Sequence, residues 1–306
     1  MAAERTVLIY KVFMRQLAQM RETRPMHLHD GLVSTTTDVW AVLTAANDGD
    51  LASLKDLGEK CPALLWCQYD YTSPMQFAVR EGHAEAVRYL IDNGAFEDGE
   101  RNHPFLEPLE KLAGDRGFVE IVEMLAAAKS DPALIHHRGD TGKIDHGYDD
   151  EQIRFQDVVD EGDVEATRSM LKSRPDLALM ENAFWGEGIM ATTANRGDRP
   201  MLDLLVEYGA TVPKLSKWGA RYYFKHLDTA KFFLENGMDP NHMNWREFTL
   251  LHDFAFTGDT EKIKLLLDFG ADINAVDEEY HTTPLGYAQH FGNDSAARLL
   301  VDHGAK

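Results

Sequence analysis

The chain has 306 residues, a length at which one hydrophobic core has usually stopped growing, so two domains or a one-dimensional repeat array are expected. With 44% hydrophobic and 27% charged residues it reads as a folded protein, and no apolar run reaches the ~18 residues of a membrane-spanning helix. The 51 acidic and 31 basic side chains give a formal charge of −20, a field that repels phosphate backbones and argues against nucleic acid as a partner.

Residues 1–38 come first in chain order. Ile9, Phe13, Leu17 and Met20 form a helical stripe that Arg24-Pro25 ends. A capping helix over the first element of the following array is expected, with partner or membrane docking as the alternative. Lys11 and Arg15 interrupt the stripe and no small-residue cleavage site follows, so it is not a secretory signal. The basic excess through Arg24 leaves an organelle-targeting reading open. Cys61 and Cys67 alone make no disulfide framework, which places the protein in a reducing, cytoplasmic setting.

From residue 39 onward one pattern repeats: a short helix, a glycine, a second amphipathic helix and a second glycine. The pairs Gly82/Gly94, Gly197/Gly209, Gly258/Gly270 and Gly292/Gly304 are all 12 residues apart. The mid-repeat marks are Gly49, Gly82, Gly117, Gly162, Gly197, Lys225, Gly258 and Gly292, in steps of 33, 35, 45, 35, 28, 33 and 34 residues. Lys225 marks a degenerate copy. The long step holds an enlarged loop at 136–152, and the short one implies a shortened hairpin near 212–217. Three copies, KCPALLW (60–66), SDPALIH (130–136) and SRPDLAL (173–179), end in Pro-x-Leu instead of glycine. There the helix should stop before proline with leucine under the turn.

The motifs name the repeat. Thr249, Leu251, His252, Ala255 and Gly258, Thr283-Pro284-Leu285, Gly82-His83, and the turn Gly270-Ala271-Asp272-Ile273-Asn274-Ala275 resemble the ankyrin-repeat family. That resemblance implies an all-α ankyrin-repeat solenoid of about eight helix-turn-helix repeats with short hairpin fingers over residues 39–306. It also implies that His83 and His252 bond neighbouring turns, and that proteins bind along a concave face lined by fingers and first helices. The face so placed would use Tyr69, Tyr71, Arg80, Arg116, Trp185, Arg196, Tyr223, Trp245, Phe256, Tyr280 and His290. Trp66 and Phe291 fall in the same series.

Catalytic signatures are missing. No Gly-x-Ser-x-Gly elbow, His-Glu-x-x-His or paired Cys-x-x-Cys occurs. The GDTGK stretch at 139–143 has His137 and Ile144 where a phosphate loop needs glycine and Ser or Thr. Two histidine clusters, His27-Leu28-His29-Asp30 and His136-His137 with Asp140, Asp145 and His146, are the candidates for a metal. The expectation is therefore a monomeric binding protein without enzyme activity or cofactor, acting as adaptor, inhibitor or sequestering factor for a protein with a basic segment. A small-molecule or metal-dependent groove and an acidic neutraliser of a basic toxin-like protein are the alternatives.

Overall fold

Helix boundaries fall where the sequence supplies chemical stops and starts. The computed structural model describes residues 16, 18–68, 72–97, 101, 102, 107–136, 143–181, 188–212, 222–243, 248–277 and 280–306. At Gly49, Gly162, Gly197 and Gly258 the chain turns left-handed and ends a first helix. The aspartate that follows sends its N–H back to that helix: Asp50 to Ala45, Asp163 to Val158, Asp198 to Thr193 and Asp259 to Phe254. Its carboxylate then accepts the N–H of Ser53, Ala166, Met201 or Lys262 and starts the second helix. One Gly-Asp pair thus stops a helix, reverses the chain and caps the next, each cap worth about 1 kcal/mol.

From Ala18 onward the described chain forms two units, 18–146 and 147–306. The first begins with α1 (Ala18–Arg21), β1 (Pro25–His27) and β2 (Val33–Thr35). Helix pairs follow: α2 (Thr36–Asp48) with α3 (Leu51–Lys60), then α4 (Pro74–Glu81) with α5 (Ala84–Asp92). A ribbon of β3 (Arg101–Asn102) and β4 (Glu107–Pro108) leads to α6 (Leu109–Asp115) and α7 (Val119–Lys129), and β5 (Lys143–Ile144) closes the unit. First helices stack on first helices (α2, α4, α6) and second on second (α3, α5, α7). Ala46, Ala78 and Ala113 allow the close approach, and Leu54, Val87, Leu90 and Leu125 fill the second layer. No single pair could bury its own stripe, so the stacking itself supplies the core.

The second unit contains α8 (Asp150–Glu161), α9 (Val164–Ser173), α10 (Met190–Arg196), α11 (Arg199–Glu207) and α12 (Leu227–Glu235). It ends with α13 (Leu250–Thr257), α14 (Thr260–Asp268), α15 (Pro284–His290) and α16 (Asp294–Asp302). α8 packs on α10, α9 on α11, α12 on α14, α13 on α15 and α14 on α16. Leu202, Leu205, Phe233, Ile263, Leu266 and Leu300 are its buried spine.

The proline variants behave as their chemistry dictates. α3 and α9 stop short of Pro62 and Pro175, which open 3-10 turns at Pro62–Trp66 and Pro175–Leu179 with Leu64 and Leu177 fully buried. α7 stops before Pro132, where Leu134 is half-buried. At the degenerate copy a π-type turn at 222 and 223 precedes Lys225, and α12 follows.

The N-terminal segment departs from a simple helical cap. Of the predicted stripe, Ile9, Phe13 and Leu17 lie outside the described residues, whereas Met20 is fully buried. Residues 25–35 form an antiparallel hairpin, and β5 from the enlarged loop adds to it, giving the order β2-β1-β5 with Met26 opposite Ile144. Period-two patterning is invisible in three-residue strands, so nothing in the sequence announced this sheet. The proposed short hairpin near 212–217 lies outside the described residues beyond Val212.

Candidate partner-binding face

The side chains that end the first helices or begin the second recur at the same places in successive repeats, so each can reach one repeat back. His83 shares a hydrogen bond between its Nε2 and the Asn47 carbonyl (2.9 Å), and His226 does the same with the Asn195 carbonyl (3.0 Å). Arg116 donates to the Arg80 carbonyl, Arg196 to the Val159 carbonyl, and Asn293 to the carbonyls of Ala255 and Phe256. Each of these acceptors lies near a helix C-terminus, where carbonyls lack a partner within the helix. A side chain of the following repeat thereby satisfies them. His83 plays the structural part expected of it, and so does His252, whose Nε2 meets the Thr282 carbonyl at 3.1 Å.

In the first two repeats of the first unit this rung is polar and closed around Arg80. Arg80 donates from Nε to the Glu81 carboxylate (2.6 Å) and from its terminal nitrogen to Asn47 Oδ1 (2.8 Å), with its guanidinium over the Phe77 ring. Arg80 is 1% exposed, which corrects its place on an open face: its charge is spent inside the stack. The cue was Asn47, which sits 33 residues earlier at the same repeat position and can accept from it.

In the last three repeats of the second unit the rung becomes aromatic. Tyr223 and Phe224 are fully buried against Phe233 and Phe254, so Tyr223 is not the surface ring that its repeat position implied. Beyond them the rings emerge. Phe256 meets Phe291 edge-on at 4.6 Å, and His290 meets Phe291 at 4.8 Å. Phe291 is 43% and Tyr280 41% exposed. Tyr287, buried between them, stacks parallel to Phe291 and edge-on to Tyr280.

A carboxylate that the sequence reading missed anchors this cluster. Asp277 is fully buried and accepts from the N–H groups of Tyr280 (2.8 Å) and Thr282 (3.0 Å) and from the Tyr287 hydroxyl (3.1 Å). Its own N–H donates to the Thr282 carbonyl, closing the 277–282 finger on itself. His252 shares a 2.7 Å bond between its Nδ1 and the Thr249 hydroxyl. Burial, opposed by the Asp277 charge, lowers the His252 pKa and favours a neutral ring. With Nε2 facing a carbonyl, the neutral ring carries its proton there and Nδ1 accepts from Thr249.

Arg116, Phe256, Tyr280, Arg196 and His290 remain at least partly accessible, whereas Tyr69, Tyr71, Trp185 and Trp245 lie outside the described residues. Trp66 is half-buried within its 3-10 turn. The β1–β5 pairing brings the two histidine clusters to one place, with His27 Nε2 3.5 Å from the Asp145 carboxylate. His137 and Asp140 lie outside the described residues. Among the described residues no three His, Cys, Asp or Glu side chains converge as metal ligands. Burial pushes the Cys67 thiol up to about 12, which suits a core residue and not a nucleophile. No helix among the described residues is long and apolar enough to cross a membrane.

Comparison with known proteins points to the same repeat. Residues 217–306 match the family model described as ankyrin repeats, in three copies. The chain is 37% identical over 78 residues to the ARF GTPase-activating protein Git of Drosophila melanogaster, covering 25% of this chain and 10% of that protein. It is 46% identical over 55 residues to protein phosphatase 1 regulatory subunit 12A of Mus musculus, covering 18% and 5%. Palmitoyltransferase Hip14 of Drosophila melanogaster is 32% identical over 97 residues, covering 32% and 14%. The chain thus spans a small fraction of these relatives, and the activities in their names stay with them.

Proposed function

From the premise that the chain is an ankyrin-repeat protein, and that ankyrin repeats generally mediate protein–protein interaction, we propose that it binds a partner protein through the aromatic face of its last repeats. The observation that carries this reading is the cluster of Phe256, Tyr280, His290 and Phe291, with two rings about two-fifths exposed. Large rings bury much area at low conformational cost, which makes them binding anchors. The chain's charge of −20 supplies the complementary half of the recognition. It steers a basic segment inward, and apolar side chains of that segment then cover the rings. The protein acts as adaptor, inhibitor or sequestering factor, monomeric and cytoplasmic, with residues 39–306 as the repeat array and 1–38 as its cap.

A display selection of peptides on the full chain tests this reading. Wild type should enrich sequences that mix Lys or Arg with apolar side chains. Binding should weaken about tenfold or more in Phe256→Ala/Phe291→Ala, as truncation of hot-spot aromatics does. Association should also slow with added salt. Peptides that bind both proteins equally would remove the aromatic face from the interface.

A further inference from the structure

The exposed rings of the aromatic face hang on buried groups, and one of these joins the two halves of the face. Tyr280 belongs to the finger at 277–282, whereas Phe291 follows α15. Tyr287 touches both: its ring is edge-on to Tyr280 at 6.1 Å and parallel to Phe291 at 6.2 Å. On its other sides it meets Phe248 at 5.3 Å and His252 at 5.5 Å, so the preceding repeat packs against it too. Its hydroxyl donates to Asp277 Oδ2, the same oxygen that accepts the Tyr280 N–H.

We propose that Tyr287 is a positioning residue of the partner-binding face, fixing the finger and the Phe291 ring in one arrangement. The proposal rests on the reading of that face as the binding surface. The physical argument is one of satisfaction inside a dry site. Asp277 has lost all access to water, so each donor that faces its carboxylate matters more than a surface bond would. Removing the hydroxyl takes one donor from the oxygen that also holds Tyr280, and the finger opens more often. His281 in this finger holds a left-handed backbone at φ 49, a conformation costly for a side chain with a Cβ and kept only while its surroundings enforce it. With the finger looser, Tyr287 no longer presents Tyr280 and Phe291 together, and a rigid partner surface meets only one of them.

Tyr287→Phe separates this role from simple packing, because it keeps the ring and deletes one hydroxyl. In the full-length variant, amide exchange at Tyr280 and Thr282 should quicken about tenfold, the effect of losing one bond to a charged acceptor. Exchange at Leu266 and Leu300 in the spine should stay put. Asp277→Asn is the independent second arm: its carboxamide turns N–H groups toward existing donors and should loosen the same two amides at least as much. Affinity for a peptide selected on wild type should fall about tenfold in Tyr287→Phe. Unmoved finger amides in both variants would overturn the proposal, and so would faster exchange with unchanged peptide affinity. A selected peptide indifferent to Phe291→Ala, with the finger still loosened, would support the coupling while the binding face is lost.

Discussion

The first unit and the last repeats of the second unit use the same repeat position in opposite ways. At the end of the first helices the first unit places Asn47, Arg80 and Glu81, and these side chains bond to one another until Arg80 retains 1% exposure. At the corresponding positions the last two repeats of the second unit place Phe256, His290 and Phe291, which touch edge-on and leave area open. Repeat position therefore fixes where a side chain sits and not whether it is free. What decides freedom is whether the residue one repeat away can answer it. An arginine above an asparagine is answered and disappears into the stack. A phenylalanine met by rings is answered only in part, and Phe291 keeps 43% of its surface apolar and open.

If the first unit has turned its charges inward, breaking them should damage folding before anything else. Arg80→Ala leaves the Glu81 carboxylate buried without its partner and should cost about 3–5 kcal/mol, read by urea unfolding. Repeat arrays unfold in parts, so amide exchange in α4 and α5 should quicken while the amides of α13 to α16 hold. A shift under about 1 kcal/mol would mean that the pair is solvated and the rung open. Gly82→Ala comes next. Its φ of 79° strains any other residue, and a Cβ there would stand 2.6 Å from the Phe118 ring. About 1–3 kcal/mol should be lost, because the next repeat must back away. At Gly292, where nothing lies within 4 Å of an added Cβ, the same change should cost only the backbone strain.

The sequence made the helices legible because each repeat writes its own punctuation. Gly258-Asp259 and Thr283-Pro284 specify a stop and a start that no distant contact needs to enforce. Even the Pro62 and Pro175 variants announced, through the missing N–H, where α3 and α9 stop. The β1–β5 pairing was illegible, since two strands of two or three residues lie over a hundred positions apart and carry no period. At the face, Phe256 and His290, reached by counting from the marker glycine, and Tyr280, read as a finger-tip aromatic, keep at least part of their surface accessible. The same count misplaced Arg80 and Tyr223, because burial there comes from partners one repeat away that counting ignores. Asp277 and Tyr287 were missed for a related reason: a finger aspartate looks solvated until three donors are seen to converge on it.

The finger offers a sharper version of the comparison through pH. His252 has its pKa lowered below the ordinary 6.5, chiefly by burial. As pH falls below 6.5 the unfolded chain takes up a proton that the folded ring resists, so stability declines from there until the folded pKa is passed. The slope is at most about 1.4 kcal/mol per pH unit for one proton. Exchange at Thr282, whose carbonyl meets His252, should quicken over that window, and His252→Gln should flatten the response.

The smallest effect on folding should come from the rings proposed to matter most for binding. Phe291 is 43% exposed, so Phe291→Ala forfeits only part of the several kcal/mol that truncating a core phenylalanine costs. Adding the lost edge contact with Phe256, the expected change is about 1 kcal/mol by urea unfolding, several-fold less than Arg80→Ala. Peptide affinity should show the reverse order, falling with Phe291→Ala by more than stability does. A surface kept for a partner has this signature, because its contacts are completed only in the complex. Were Phe291→Ala to cost as much as Arg80→Ala, the ring would be core. The aromatic rung would then be a second way of closing the stack.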